Sequence, residues 1–162
     1  KNKIGLISKI TKDIYNKEAN IIKSQMLKIN NFFLFMIDSE VPHNTNLNDI
    51  VSKYSINSLV DIDKEPSRHN NTYPGIIKIN CNDTPGILHE STKIISDINV
   101  DIQSLKTYNI STPITNSILF NLIMNINIPN NVKQGEIKEK IEYIKYKYNP
   151  EISIKFPNNI SS

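Results

Sequence analysis

The sequence predicts an α+β fold of two tandem βαββαβ units, the first of which lacks its opening strand. Three observations support this prediction: an internal repeat in a chain of 162 residues, alternating strand and helix periodicities within each copy, and a polar segment between the copies. A chain of this length forms either one medium domain or two small ones, because domains reach down to about 50 residues. The repeat favours two small domains.

The repeat emerges when Gly5 is placed over Gly86, a shift of 81 positions. The alignment then matches further pairs without a gap, namely Thr11 with Thr92, Lys12 with Lys93, Ile14 with Ile95, Asn20 with Asp101 and Ile21 with Ile102. Residues 32–42 also lie over residues 119–129 if the second copy carries about six extra residues. Self-similarity at a fixed period indicates a duplicated structural unit.

The second copy opens with the periodicity of a strand followed by that of a helix. Ile77, Ile79 and Cys81 alternate with polar residues, as in a strand that buries one face. Residues 82–86 interrupt the alternation. Apolar residues then recur at helical spacing from Ile87, so the Pro-Gly corner supplies the first turn of a helix.

The remaining elements of the second copy follow in the same way. Residues 100–108 favour a strand, and apolar residues alternate from 120 to 128 in another, which an Asn-Asn turn closes. Ile137, Ile141 and Ile144 share one face of a second helix, and residues 152–156 alternate in a last strand. This βαββαβ order is ferredoxin-like, with two helices covering one face of a four-stranded antiparallel sheet.

The first copy repeats this order without its opening strand. Its predicted elements are a helix from Leu6 to Lys17, a strand from Asn20 to Ile29, an Asn30-Asn31 turn, a strand from Phe32 to Ser39, a helix from Leu47 to Tyr54 and a short strand near residues 58–62. We expect residues upstream of Lys1 to be absent from this sequence, or a neighbouring chain to fill the gap. The predicted domains are residues 1–63 and 74–157, joined by a polar linker at 64–73.

Composition argues against several classes of function. The net charge is only +3 and Arg68 is the one arginine, so the dense basic stripe of a nucleic-acid-binding protein is missing. One cysteine excludes an internal disulfide, and His43, His69 and His89 lack the spacing of metal ligands. No apolar run approaches the roughly 20 residues of a membrane span. We therefore expect a cytoplasmic protein with no metal, cofactor, membrane contact or direct contact with nucleic acid.

The run NDTPGILHESTKIISDINVDIQSL resembles the ACT domain, a small βαββαβ regulatory module whose first turn has the pattern Asp-x-Pro-Gly-Ile/Val. Two copies in tandem, with the insertion TYNISTPITNSILFNLIMNINIP, resemble most closely the glycine cleavage system transcriptional repressor family. The resemblance covers nearly the whole chain. The first copy departs from the motif, because KNKIG has neither the proline nor the acid of the turn.

The resemblance implies a regulatory protein that is not an enzyme. It implies a small amino acid as effector, with glycine favoured, and control of a transcriptional activator by protein contact rather than through DNA. It also implies paired modules, and we expect a homodimer. Two alternatives stay open: a regulatory ACT segment of a larger metabolic enzyme such as a formyltetrahydrofolate deformylase, and an interaction domain that has lost its ligand.

The first turn of each copy supplies the candidate ligand-binding residues. The helix that starts at Ile87 presents free backbone N–H groups to an anion, and Gly86, after Pro85, lets a ligand approach closely. We expect Asp83 and Asp101 to face the same end of the sheet and to accept an ammonium group. Their equivalents in the first copy, Asn2 and Asn20 beside Gly5, are neutral and predict weaker binding of a cation. The competing hypothesis for Asp83 is a hydrogen bond to the start of the helix.

No catalytic residue is expected. Cys81 and His89 suggest a thiol nucleophile with its base, but Cys81 falls on the apolar side of its strand, where cysteine behaves as a small core residue. Glu90 and Asp97 lie seven positions apart on one helix, too far for paired carboxylate chemistry. We expect both to be solvated surface residues.

Overall fold

In the computed structural model, which describes residues 4–29, 32–54, 71–112 and 117–156, six strands and four helices form a two-layer α+β structure. In chain order the elements are α1 (Leu6–Asn16), β1 (Asn20–Ile29), β2 (Phe32–Glu40), α2 (Asn48–Tyr54), β3 (Thr72–Asn82), α3 (Ile87–Asp97), β4 (Asp101–Thr112), β5 (Ser117–Pro129), α4 (Gln134–Tyr148) and β6 (Glu151–Lys155).

The strands form one sheet in the order β2-β1-β4-β5-β3-β6, with every neighbouring pair antiparallel. The four strands β4-β5-β3-β6, connected through α3 and α4, are a complete ferredoxin-like βαββαβ unit. In the first copy α1, β1, β2 and α2 occupy the corresponding places in the chain. The predicted α+β tandem fold is therefore confirmed. The strand predicted at 58–62 and the residues before Ile4 lie outside the described residues.

Most element bounds agree with the periodicity of the sequence. β1 has the predicted limits, α1 ends one residue before the predicted Lys17, and β4 continues beyond the predicted Tyr108 to Thr112. β3 begins at Thr72, inside the segment predicted as linker, while residues 64–70 of that segment and the Asn30-Asn31 turn lie outside the described residues. The proposed domain limits stay a prediction.

The two copies join edge to edge within the chain. β1 pairs with β4 from Ser24 opposite Thr107 to Leu27 opposite Ser104. Both strands also carry an irregularity at matching places, because the pairing skips residue 22 in β1 and residue 103 in β4. These positions differ by the period of the repeat, so β1 and β4 are equivalent strands. Because equivalent strands pair antiparallel, an approximate two-fold axis relates the two copies. We call the junction of β1 with β4 and of α1 with α3 the seam.

Buried hydroxyl groups cross the seam. The Thr11 and Thr92 hydroxyls lie 3.4 Å apart between α1 and α3, and Ser24 Oγ lies 2.8 Å from Thr107 Oγ1 between β1 and β4. His89 Nδ1 also donates to a backbone carbonyl of α1 at 3.0 Å. All four hydroxyl side chains are buried. Thr11 and Thr92 also donate to backbone carbonyls of their own helices, whereas Ser24 and Thr107 depend on each other to offset the lost contact with water.

The apolar core is continuous from one copy to the other. It includes the alternating residues predicted for β3 and the predicted helix face of α4, namely Ile77, Ile79, Cys81, Ile137, Ile141 and Ile144. α1 contributes Ile7, Ile10 and Ile14 to the same cluster. Each large aliphatic side chain buried in this way stabilises the fold by about 1.5–3 kcal/mol, so the two copies stabilise each other.

The hydroxyl pair across β1 and β4 gives a prediction about stability. Ser24→Ala or Thr107→Val alone leaves the other hydroxyl buried without a partner, so each should lower the free energy of unfolding by about 1–3 kcal/mol. The double variant should lose about 1 kcal/mol less than the sum, because the two groups interact directly. Urea unfolding of the four proteins measures this coupling.

Ser91→Ala is the matched control. The Ser91 hydroxyl is also buried, but it has no hydrogen-bond partner among the described residues. Its removal should leave the free energy of unfolding unchanged or raise it. Strict additivity of the Ser24 and Thr107 substitutions would contradict a hydrogen bond that holds the seam.

Candidate functional site

The two predicted corners have the same backbone conformation. Gly86 begins α3 with φ 90° and Gly5 begins α1 with φ 84°, both in the left-handed region that favours glycine. No side chain caps either helix start. The hypothesis that Asp83 caps α3 is therefore wrong. The N–H of Ile87 donates to the carbonyl of Thr84 at 3.3 Å, and the start of α3 keeps the partial positive charge of a helix N-terminus.

Each corner lies against the helix of the other copy. A Cβ atom on Gly86 would lie 3.0 Å from the ring of Tyr15, which is on α1. A Cβ atom on Gly5 would lie 2.5 Å from Oγ of Ser96, which is on α3. Tyr15 and Ser96 are themselves equivalent in the repeat, so the approximate two-fold axis relates the two contacts. Both glycines are needed for this close approach across the seam.

A small cavity at the Gly86 corner, here called the Gly86 pocket, is lined by both copies. Asp83, Gly86 and His89 come from the second copy, and Tyr15 and Asn20 from the first. The cavity measures about 20 Å³, which is space for about one water molecule.

Two amides hold the carboxylate in the Gly86 pocket. Asp83 Oδ2 accepts hydrogen bonds from Asn20 Nδ2 at 3.1 Å and from Asn109 Nδ2 at 2.9 Å. Within the described parts of the chain, no lysine or arginine forms an ion pair with Asp83, and the buried Oδ1 of Asn109 accepts no hydrogen bond. The pocket therefore offers the negative charge of Asp83, which no cation of the described residues balances.

A second cavity, the Gly5 pocket, lies at the equivalent corner and also measures about 20 Å³. Gly5 contributes from the first copy and Asp101 from the second. Asp101 Oδ2 accepts hydrogen bonds from Lys28 Nζ and, at 2.8 Å, from Gln103 Nε2. The side chains of Lys28 and Asp101 are only 13% and 19% exposed, so this ion pair is largely shielded from water.

The structure corrects how the candidate residues are grouped. Asp83 and Asp101 do not converge on one ligand, because they line different pockets. Asn20 does not accompany Gly5 but faces the Gly86 corner. The antiparallel pairing of β1 with β4 is the reason, since it places the start of each strand beside the helix start of the other copy.

The other two candidates lie at the Gly86 corner. Pro85 is exposed and Ile87 is buried in the core. The backbone of Ile87 belongs to the helix start, whereas its side chain packs against the core.

Sequence reasoning missed Lys28 and Tyr15, which line the pockets, and Asn109, which donates to Asp83. The repeat contained a signal for two of them, because the shift that places Asn20 over Asp101 also places Lys28 over Asn109. Tyr15 carried no comparable signal, since its role depends on the contact between α1 and the opposite corner.

The thiol of Cys81 is unsuited to nucleophilic chemistry. Cys81 is buried, as predicted. Burial and the nearby charge of Asp83 raise the pKa of the thiol from its usual 9.0 to about 11. The thiol is therefore protonated at neutral pH and is not the reactive thiolate.

The remaining candidate acids form surface ion pairs. Glu90 pairs with Lys147 at 2.6 Å and Asp97 with Lys93 at 2.5 Å. In the part of the chain that the structure describes, no group of three or more His, Cys, Asp or Glu residues is arranged to hold a metal ion. Among the described residues, none of the helices combines the length and apolar composition that a membrane crossing requires.

No protein-family model matches the chain, and no curated protein matches its sequence. Several solved structures resemble it, among them the following three. An unknown protein from Galdieria sulphuraria has 14% identity and a TM-score of 0.51, with 96% of this chain and 92% of that chain covered. An aspartate kinase from Synechocystis has 9% identity and a TM-score of 0.60, with 94% of this chain and 26% of the kinase covered.

A provisionally assigned glycine cleavage system transcriptional repressor has 17% identity and a TM-score of 0.48, with 98% of this chain and 92% of that chain covered. At these identities the likenesses concern the fold alone, and the two higher TM-scores agree with the tandem arrangement described above. The chain spans about a quarter of the aspartate kinase, so the same fold also occurs within a larger protein.

The raised pKa of Cys81 predicts slow thiol chemistry. At pH 8 a pKa of about 11 instead of 9.0 lowers the thiolate fraction about 100-fold. We expect the folded protein to react with Ellman's reagent at least about 100-fold more slowly than the protein in denaturant. Absorbance at fixed pH measures both rates, and a fast reaction of the folded chain would contradict a buried, protonated thiol.

Proposed function

We propose that this chain is an amino-acid-sensing regulatory protein whose effector binds in the Gly86 pocket. The observation that carries the proposal is that both copies build the pocket, with Asp83 and Gly86 on one side and Asn20 and Tyr15 on the other. An effector bound there contacts both copies. It therefore favours one arrangement of the seam over another and transmits its presence to the rest of the molecule.

The groups around the pocket suit an amino acid. Asp83, which lines the pocket, supplies a negative charge for the ammonium group. The uncapped start of α3 supplies N–H donors for the carboxylate. The ammonium and the carboxylate of an amino acid thus each have a binding partner of opposite charge at this corner of the fold.

The size of the pocket favours a small effector and a change of shape on binding. Space for about one water molecule does not admit an amino acid. Tyr15 lies over Gly86 and is 46% exposed, so its ring can rotate towards solvent and enlarge the pocket. Glycine, which has no side chain to accommodate, is the favoured effector.

The proposed output is contact with another protein. As in the repressor family that its sequence resembles, we propose that the chain controls a transcriptional activator without touching DNA itself, and that it acts as a homodimer. Leu27 and Leu34 lie opposite each other on β1 and β2 and are both exposed, as is the nearby Met36. Such an apolar patch supports association with a protein surface.

A second candidate function is a regulatory segment of a larger metabolic enzyme, such as a formyltetrahydrofolate deformylase. The likeness to about a quarter of an aspartate kinase favours this candidate, because it places the same fold within an enzyme. The two candidates differ in the length of the natural polypeptide. A catalytic domain encoded in the same reading frame would support the second.

Calorimetry of the full chain with glycine, and with L-serine for comparison, tests the proposal. We expect saturable heat with glycine, and a stability gain of about 2.7 kcal/mol at 100 times the dissociation constant. Asp83→Asn should weaken binding at least about tenfold, because it replaces a charge-assisted hydrogen bond to the ammonium by a neutral one.

Asp97→Asn is the matched control for this variant. It removes a carboxylate of the same type from the exposed side of α3 and should leave the affinity unchanged. No detectable heat or thermal shift at millimolar glycine and serine would overturn the amino-acid-sensing proposal. Equal binding by Asp83→Asn would place the effector elsewhere.

A further inference from the structure

The two pockets are equivalent in the repeat but differ in charge. Asn20 and Asn109 both donate to Asp83, which lines the Gly86 pocket. Their equivalents in the repeat, Asp101 and Lys28, meet at the Gly5 pocket and bind each other. One pocket thus has a carboxylate held by neutral amides, and the other has a carboxylate already paired with an ammonium.

We propose that Lys28 is a built-in substitute for the effector, whose ammonium occupies the place on Asp101 that an amino acid would otherwise take. The Gly5 pocket is thereby closed to effectors, and each chain binds one amino acid, at the Gly86 pocket. This inference rests on the proposed function, since it specifies which of the two related pockets responds.

Charge and tethering both favour this closure. Lys28 and Asp101 neutralise each other, so an incoming ammonium would have to displace a cation from a largely shielded carboxylate. Because Lys28 belongs to the same chain, its ammonium competes for Asp101 at an effective concentration that does not depend on how much free amino acid is present. In the Gly86 pocket an incoming ammonium displaces no cation of the described residues and adds the missing positive charge.

According to this inference, the two pockets have different roles. The Gly5 pocket holds the seam with a permanent ion pair, whereas the Gly86 pocket changes with effector concentration. Gln103 supports the permanent pair, because it donates to the same oxygen of Asp101. Effector binding at the Gly86 pocket then shifts the seam at that corner, while the ion pair of Lys28 with Asp101 holds the other corner in place.

Calorimetric titration of the full chain with glycine gives the stoichiometry that tests the inference. We expect one glycine per wild-type chain and two per Lys28→Ala chain, because the substitution uncovers Asp101 and vacates the space of the lysine side chain. Lys28→Arg, the matched control, keeps the positive charge and should bind one. Ethylammonium chloride, which carries an ammonium without a carboxylate, should raise the melting temperature of Lys28→Ala and not that of Lys28→Arg.

The outcomes separate this inference from the proposed function. Two glycines per wild-type chain, or one per Lys28→Ala chain without a response to ethylammonium, would overturn the inference and leave the sensor proposal standing. No heat from wild type but one glycine per Lys28→Ala chain would overturn the Gly86 pocket as the effector site and support only the closure of the Gly5 pocket by Lys28.

A second measurement does not depend on the folding of Lys28→Ala. In the wild-type protein the Lys28 ammonium should give a ¹H–¹⁵N signal protected from exchange with water, and Asp101→Asn should abolish it. Absence of a protected signal in the wild type would overturn the inference.

Discussion

The backbone pairing of β1 with β4 is the constraint on which the rest of the structure depends. It joins two half-sheets into one and brings α1 against α3. It also sets Thr11 beside Thr92 and Ser24 beside Thr107. Each hydrogen bond in such a ladder contributes only about 0.5–1.5 kcal/mol net, so the continuous apolar core beneath the seam supplies much of its stability.

The same pairing gives the pockets their composite character. An antiparallel junction around a two-fold axis brings the start of a strand in one copy next to the start of a helix in the other. Each pocket is therefore lined by residues of both copies. The junction also explains why the glycines are required, since Tyr15 and Ser96 approach the two corners from the opposite copy.

Duplication allowed equivalent positions to acquire different chemistry without disturbing the fold. Asn20 and Asn109 occupy the positions in the repeat that Asp101 and Lys28 occupy at the other corner. Asp101 and Lys28 form an ion pair, whereas Asn20 and Asn109 are neutral, so different hydrogen bonds hold the two ends of the seam. Other features are the same in both copies and preserve the shared fold. Examples are the threonines Thr11 and Thr92 and the strand irregularities at positions 22 and 103. Equivalent positions of the two copies can therefore differ in charge while the packing of the copies stays the same.

The sequence alone determined the described elements and their order. Period-two alternation placed β5, the helical spacing from Ile87 placed α3, and the repeat gave β1 its limits. The two periodicities reflect the geometry of residues close together in the chain. It also identified Asp83, Gly86, Gly5, Asn20 and Asp101 as the polar and glycine positions at the corners. Only the tertiary structure decided their grouping, since which corner Asn20 or Asp101 faces depends on hydrogen bonds between strands about 80 residues apart, which no local pattern encodes.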